Sequence, residues 1–476
     1  MALILIKLQA NIPVIILGEP CSGKSLLVQK LYKFSSYGNL YKLKVFNFYP
    51  ETKEKEIIKF INSIISEEEK LEQKYNKSEK SNFVLEKRVW IFLKNINTCK
   101  SMGLIKELIC NHSLQGRKLT KTMTIIATCI PELPKEKDTM EKNNNKGTYI
   151  FYPLPNSLKD FVLNFCNINQ ENEQNYIENI INMSIEKINY NLNNEKIEEL
   201  KELTKLLIKQ CHKFIKENYD KSYLSLKDIK RFIKFYRYFF NYLNIKKEKK
   251  LYDMNAEKKF DFQKFTEFEF HIYSINLSIY ICYYLKIQHK DLRKRLTDEL
   301  NKIFKYNDFL FFPENEQNFI IDNMEISKEI KINDIKENIF SLFFALNAKT
   351  PIFIVDQKNK DKLISLKLIY KSMKGSWSNN SFFKLFPKII LYSYKELTDI
   401  CSKDINEINS KINCCYDKLR NEDYSVFYFE GDEIKIPLHF LNNELEEKNI
   451  FFVGISNIIN KSLEINNVLY VINPEK

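Results

Sequence analysis

A chain of 476 residues is long enough for two to four domains with sizeable cores. Its 74 Lys and Arg against 61 Asp and Glu leave a formal charge of +13. Lys, Asn, Ile and Tyr are abundant along the whole chain, so no arm or face concentrates that charge and a specific nucleic-acid site is not indicated. The ten cysteines never occur as CxxC, and only Cys414 and Cys415 are adjacent, which argues against zinc ribbons and RING-type sites and for reduced, packed thiols in a cytoplasmic protein.

The first run, "MALILIKLQANIPVIIL", is apolar but broken by Lys7, Gln9 and Asn11, and no small-residue cleavage site follows, so no targeting signal is read. Only seventeen residues precede Gly18, which suggests a piece of something longer. "PVIIL" ending at Gly18 suits a buried parallel strand, and "GKSLLVQKLYKF" has helical spacing. "KLKVFNFYP" reads as a second strand and "ETKEKEIIKFINSIISEEEK" as an amphipathic helix, with Glu67 to Lys80 a charged surface insertion expected to be mobile. "RVWIFLK" (Arg88 to Lys94) is a third strand, "SMGLIKELICN" a helix, "TMTIIATCI" (Thr122 to Ile130) a fourth strand and "TYIFYPLP" a fifth, after the polar loop "KEKDTMEKNNNKG". Strands alternating with helices predict a parallel α/β sheet with crossovers.

From about Asn156 the pattern turns helical in "LKDFVLNF", "NYIENIINMSIEKINY", "IEELKELTKLLIKQCHKFIKE" and "SLKDIKRFIKFYRYFFNYL". "FHIYSINLSIYICYYL" (Phe270 to Leu285) carries His271, Ser274, Asn276 and Ser278 and is short for a membrane span, so a buried helix is the better reading. "TPIFIV" (Thr350 to Val355) then repeats "IPVIIL", and "PKIILYSY", "YSVFYFEG" and "NIFFVGISN" are further strands. The repeat is weak in residues but clear in order. The expected divisions are an α/β core at 1–155, a helical lid at 156–248, a mainly helical linker opening a second module at 249–345, and a second α/β core at 346–476.

"GEPCSGKS" (Gly18 to Ser25) is a G-x-x-x-x-G-K-S loop between a strand and a helix, the context that validates a phosphate cradle. Backbone N–H groups from Gly18, Glu19, Pro20, Cys21, Ser22, Gly23 and Lys24 (Pro20, which has none, excepted) can wrap phosphate oxygens, with Leu26 in the helix behind, and the helix dipole adds to this. Lys24 would reach the β- and γ-phosphates and Ser25 would offer its hydroxyl to Mg²⁺. Cys21 is read as tolerated rather than catalytic.

A working ATPase of this kind also needs carboxylates at a neighbouring strand exit, one for the metal and one for the attacking water. "RVWIFL" should deliver them, but Lys94 and Asn95 stand there. Two charges about 5 Å apart at an effective dielectric of 20 interact by roughly 3 kcal/mol, and an Asp-to-Lys change reverses that sign against a metal. The ammonium could instead stand where magnesium normally neutralises phosphate. Asn95 can hydrogen-bond water but cannot take its proton. Glu86 precedes the strand and Glu107 lies on the next helix, so neither is at the exit.

On these residues the chain resembles the AAA+ region of the mysterin family, the giant ring-finger ATPases. "IPVIILGEPCSGKSLLVQKL" is similar to the family's first catalytic loop, "INTCKSMGLIKELICNHSLQGRKL" to the segment after its Asp-Glu pair, and "TIIATCIPEL" to its sensor strand. "FYPLPNSLKDFVLNF" and "YLSLKDIKRFIKFYRYF" resemble its lid, and "PIFIVDQKNKDKLISLKLIYKSMKG" and "FFVGISNIINKSLEINNVLYVINPE" its next module. "GLIKE" and "GISN" are fairly specific. The resemblance implies two AAA+-like P-loop modules, ATP as ligand, other AAA+ modules in a larger chain or ring as partners, and a relation to ubiquitin-system proteins.

Departures from the pattern are equally specific. The family's catalytic Asp and Glu fall on Lys94 and Asn95, its sensor Asn on Ile130, and its sensor-two Arg on Lys227, which keeps charge but not the planar fork. The second loop, "DQKNKDKL", lacks both glycines; Leu363 replaces the metal-binding hydroxyl, only Lys362 matches, and Asp356 and Asp361 would face phosphate with like charge. Glu430 and Asn457 keep one acid and one sensor, and the arginine lent to a neighbouring module falls on Asn467. The second module is thus read as degenerate and without a lid. His112, His212, His271, His289 and His439 have no metal-ligand spacing. The favoured reading is an ATP-binding pseudo-ATPase with weakened magnesium binding; an active ATPase motor module and a nucleotide-free scaffold stay open beside it.

Overall fold

In a computed structural model of the protein, the described residues are 1–19, 22–35, 41–48, 52–76, 88–131, 152–165, 170–187, 192–219, 223–249, 265–304, 306, 308–326, 332–355, 363–393, 423–430, 449–456 and 468–473. They divide into two compact units, one running from Met1 to Gln170 and the other from Glu171 onward.

The first unit contains α1 (Ala2–Gln9), β1 (Val14–Leu17), α2 (Lys24–Ser35), β2 (Tyr41–Asn47), α3 (Glu54–Asn76), β3 (Arg88–Lys94) and α4 (Met102–Lys106). A π-helical turn, Glu107–Asn111, extends α4, and a short hairpin, β4 (Ser113–Leu114) with β5 (Arg117–Lys118), leads into β6 (Met123–Cys129) and finally β7 (Val162–Asn164). The sheet order is β2-β3-β6-β1-β7 with every pairing parallel. Parallel strands need crossover helices, which cover both faces, so the inner strands β1, β3 and β6 are largely continuous apolar runs, while the edge strand β2 alternates Lys42 and Lys44 with Leu43 and Val45. Val14, Ile16, Trp90, Phe92 and Ile126 face Val28 and Leu31 of α2 and Ile4 and Leu8 of α1. Ile15, Ile91, Leu93, Ile125 and Ala127 face Ile57, Ile61 and Ile64 of α3 and Ile105 and Leu108 beyond β3.

Two expectations are corrected here. Of the expected mobile insertion, Glu67 to Lys80, residues 67–76 form the last turns of α3, and 77–80 lie outside the described residues. Glu, Lys and Gln are good helix formers, Glu68 is buried, and Lys44 pairs with Glu67 at 2.8 Å while Arg117 pairs with Glu69. The fifth strand is not "TYIFYPLP": residues 152–155 carry no strand, and 148–151 lie outside the described residues. It is Val162–Asn164, inside a stretch read as helical, preceded by a 3₁₀ turn at Asn156–Phe161. Three residues carry no measurable period, and the pairing of Ile15 with Val162 and Leu17 with Asn164 is what makes them a strand.

The second unit holds α5 (Gln170–Glu186, starting at the division), α6 (Asn194–Asn218), α7 (Leu226–Glu248), α8 (Glu267–Cys282), α9 (Lys290–Ile303), α10 (Phe311–Asp322) and α11 (Lys336–Asn347). It continues with β8 (Ile352–Val355), α12 (Ile364–Ser372), β9 (Ile389–Ser393), β10 (Tyr424–Glu430), β11 (Ile450–Ser456) and β12 (Leu469–Ile472). Its parallel sheet runs β12-β8-β11-β10-β9. Taken in chain order, that is the arrangement of the first sheet: the first strand sits between the fourth and the fifth. α8 is buried all round, as expected for "FHIYSINLSIYICYYL", and no helix among the described residues is long and apolar enough to cross a membrane. Arg293 fastens the helices to the second sheet: Nη1 reaches both oxygens of Glu337 at 2.9 Å and Nη2 donates to the Ile472 carbonyl at 2.6 Å.

Gly454 of β11 lies opposite Phe353 of β8, and a Cβ on it would stand 2.2 Å from a carbon of that ring. Gly103 on α4 has open space around it. Gly454→Ala is expected to destabilise by about 1–3 kcal/mol, the usual range for overpacking. Gly103→Ala should be neutral or stabilise by roughly 0.5–1 kcal/mol. Denaturant titrations followed by circular dichroism compare the two; equal midpoints would contradict the packing assigned to Gly454.

His212 and His271 are buried, bonded to the Tyr283 and Tyr236 hydroxyls at 3.2 and 2.8 Å. Desolvation pushes both imidazoles down to about 3. Below about pH 6.5 the unfolded chain binds protons that the folded one does not, so stability present at neutral pH is lost on acidification, by about 1.4 kcal/mol per pH unit for each histidine. The urea midpoint should therefore fall between pH 7 and 5; an unchanged midpoint would show that these rings are not held neutral.

Candidate functional site

The apolar strand β1 ends at Leu17, just before Gly18; the chain leaves β1 for β2 on one side of the sheet, whereas it leaves the adjacent β6 for β7 on the other. The carboxyl end of such a strand is the topological switch point where open α/β sheets hold ligands. The Gly18 N–H donates to the Cys129 carbonyl at 3.3 Å. A Cβ on Gly18 would lie 3.1 Å from the Phe165 carbonyl oxygen and 3.2 Å from Ser22 Oγ, so only glycine fits without displacement. Gly23 has φ +97°, in the region that glycine alone enters freely.

Lys24 opens α2 and is buried, with Nζ donating back to the carbonyls of Gly18 at 2.5 Å and Glu19 at 2.6 Å. The Ser22 N–H closes a turn onto the Glu19 carbonyl at 3.3 Å, while buried Ser22 Oγ has no hydrogen-bond partner among the described residues. Ser25 is half-buried, Glu19 and Leu26 are exposed, and Pro20 and Cys21 lie outside the described residues. Burial pushes the Cys129 thiol up to about 12, against the pull of the Lys24 charge, so it is no nucleophile at neutral pH.

Lys94 is the last residue of β3, opposite Asn47 of β2. It is half-buried, and its ammonium lies 5.5 Å from the centre of the Phe92 ring. Asn95 turns the chain with φ 58° and ψ 47°, and its N–H donates to Thr128 Oγ1 at 3.0 Å. Buried Asn97 then binds the backbone of Ile130 on both sides, Nδ2 donating to its carbonyl at 2.7 Å and Oδ1 accepting from its N–H at 3.1 Å. The exits of β1, β6 and β3 are thus joined by hydrogen bonds, with Ile130 buried at the centre. Asn97 and Thr128 escaped the sequence reading; their signal is a polar side chain just beyond or within the last turn of an otherwise apolar run.

Two family models describing the RNF213 AAA domain match the chain, one over residues 1–133 and the other over residues 329–475. The chain is a mysterin-family AAA+ region. It is 23% identical to human E3 ubiquitin-protein ligase RNF213, 24% to zebrafish E3 ubiquitin-protein ligase rnf213-beta and 21% to mouse E3 ubiquitin-protein ligase RNF213, in each case across 98% of its own length. It spans only about a tenth of those relatives, 9% of the human protein and 10% of the others.

Elsewhere in this mysterin-family region, Glu107 accepts from Ser113 Oγ at 3.1 Å and from the Gly116 N–H at 2.8 Å. The Gly116 N–H holds its carboxyl below the usual range, so Glu107 braces the β4–β5 hairpin. Glu86 lies outside the described residues. Among the described residues no group of three or more His, Cys, Asp or Glu is placed to hold a metal ion. Lys227 belongs to the second unit, exposed in the first turn of α7, where its N–H donates to Ser225 Oγ at 3.3 Å. Its neighbour Asp228 is buried between Arg231 and Lys286 and completes a capping box with Ser225. In the second sheet, Leu363 is half-buried just before α12 and Glu430 is the exposed last residue of β10; Asp356, Asp361, Lys362, Asn457 and Asn467 lie outside the described residues, as does His439. His112 bonds the Thr120 carbonyl at 3.2 Å, and His289 is exposed just before α9 with no side-chain capping bond.

Asn97→Ala removes both bonds to Ile130 and leaves a buried N–H and carbonyl unpaired, which should cost about 1–3 kcal/mol. Trp90 is buried in the first sheet and the chain's other tryptophan, Trp377, is 79% exposed, so tryptophan emission reports mainly the first unit. Its urea midpoint should drop in the variant; an unmoved midpoint would remove Asn97 from the strand-exit lacing.

Proposed function

We propose that the first module binds ATP at Gly18 to Ser25 and turns it over slowly or not at all, so that the nucleotide is a structural or regulatory ligand. The observation that carries this reading is a loop built for phosphate beside a strand exit without a carboxylate. Gly18 and Gly23 leave the backbone open where a side chain would intrude, and Lys24 directs its ammonium to the loop. Ser22 Oγ is a buried donor with no described partner, a group that a phosphate oxygen would satisfy. These residues fit a nucleotide's phosphates; when bound, the ligand would supply the negative charge that Lys24 and the amino end of α2 complement.

Hydrolysis needs a base for the attacking water. Asn95 cannot serve as one, and its N–H is engaged with Thr128. Losing that acid costs something like the 10²–10⁴-fold typical of general acid–base catalysis. The second module's loop, 356–362, has no glycine for close backbone approach and carries two carboxylates, so we assign no nucleotide to it. We further infer cytoplasmic residence within a longer chain bearing other AAA+ modules, and a role linked to ubiquitin transfer carried by parts of that chain other than these residues.

Lys24→Ala should remove most phosphate affinity and with it the thermal stabilisation by ATP, which amounts to about 4 kcal/mol when ligand exceeds Kd a thousandfold. Parent protein should show no significant steady-state release of inorganic phosphate. A labelled ATP analogue that binds Lys24→Ala as well as the parent would show that the loop is not the site. Robust turnover indifferent to substitution at Asn95 would show that another acid acts.

A further inference from the structure

We propose that Lys94 takes the place of the magnesium ion, so that the first module binds its nucleoside triphosphate free of metal. The inference rests on the reading that Gly18 to Ser25 holds the phosphates, and adds what neutralises them.

Three observations place the ammonium. Lys94 ends β3, and only β6 separates β3 from β1. Two strand spacings are about 10 Å, and lysine has a flexible four-carbon stem to cross part of that gap. Secondly, side chains alternate between sheet faces. Leu93 and Ile91 pack on the α3 side, whereas Trp90 and Phe92 pack with Val28 and Leu31 of α2. Lys94 follows Phe92 by two residues and its ammonium sits beside the Phe92 ring, 5.5 Å from its centre. It is therefore on the α2 face, at the edge where α2 begins with Lys24 and Ser25. Thirdly, the exit is held rigid from behind, by Asn95 on Thr128 and Asn97 on Ile130.

The chemistry of the site disfavours the metal. Mg²⁺ takes oxygen ligands in a near-octahedral shell, usually one or two carboxylates with phosphates and water. An ammonium has no lone pair to donate and repels the ion. Of the carboxylates that flank these segments in sequence, Glu19 is exposed on the loop, Glu107 is committed to Ser113 and Gly116, and Glu86, before β3, lies outside the described residues. Ser25 would then hydrogen-bond a phosphate oxygen rather than ligate an ion. The site would hold Lys24 and Lys94 on the triphosphate, two fixed cations in place of one fixed cation and one exchangeable one.

The test is equilibrium binding of a fluorescent ATP analogue to nucleotide-free protein, in excess EDTA and in millimolar magnesium. The parent's Kd should agree within about threefold between the two. Lys94→Met, which keeps the stem over Phe92, should bind at least tenfold more weakly in EDTA, and Lys94→Asp should bind only with magnesium. Circular dichroism and melting of each variant report its folding. A parent that loses tenfold or more in EDTA overturns the proposal while leaving the phosphate loop intact, and so does a folded Lys94→Met with unchanged affinity in EDTA. A parent that binds in neither condition overturns the nucleotide reading itself. The parent's two measurements decide the metal clause even if no variant folds.

Discussion

Parallel strand pairing is the constraint on which the rest of each unit depends. It sends every strand's carboxyl end to one edge of the sheet, so residues from three separate parts of the chain meet there: Gly18 after β1, Lys94 and Asn95 after β3, and Ile130 after β6. It also obliges each return to cross a face as a helix or loop, which buries both faces and leaves polar chemistry to the strand exits. The backbone groups that leave the sheet at that edge have no ladder partner. Buried, they would each cost free energy, and the chain answers with Asn97, Thr128 and the Gly18 N–H. The same bonds that satisfy the backbone also fix the spacing of the loop and the Lys94 strand, so site geometry here is a consequence of backbone bookkeeping.

The second unit solves a different problem. Its helices are rich in aromatic residues and lysine, and several charges are buried with them. Glu316 receives Lys246 Nζ at 2.6 Å and the hydroxyls of Tyr242 and Tyr273 at 3.0 and 2.9 Å, while Asp228 is shared by Arg231 and Lys286. Such groups are tolerable in a low-dielectric interior only when each remaining lone pair and proton has a partner. Their effect is to tie α7 to α8 and α10, and Arg293 does the same for α9, α11 and β12. A +13 chain therefore places part of its cationic surplus inside, where it specifies packing.

Much of this was legible from the residues. Eight of the ten strands of the two main sheets, all but β7 and β12, were readable as runs marked by glycine, proline or a polar boundary, and β1 with its loop is a motif whose meaning lies in local backbone chemistry. The buried character of α8 follows from hydroxyls and amides spaced through an apolar helix, which a membrane span would not carry. The α3 extension was misread because Glu and Lys are equally at home in a surface loop and on a helix's outer face; the buried row Ile57, Ile61, Ile64, Ile65 and Glu68 decides it.

What the sequence by itself determined was local: a Gly-x-x-x-x-Gly-Lys-Ser turn needs its glycines wherever it folds, lysine and asparagine cannot do a carboxylate's work, and long amphipathic runs become helices. What only the tertiary structure decided was which of these meet. Val162 to Asn164 is a strand because β1 has an open edge to pair with, not because three residues have a preference. The repeat of the two modules could be read along the chain, weak in residues but clear in order; the lateral strand order that their sheets share comes only from the pairing. Asn97 acquires its role from Ile130, 33 residues away, and Lys94 is assigned to the α2 face by its place two residues after Phe92 in a strand packed on both sides. Propensity acts over a few residues, whereas these placements follow from burial and hydrogen-bond satisfaction across the whole sheet.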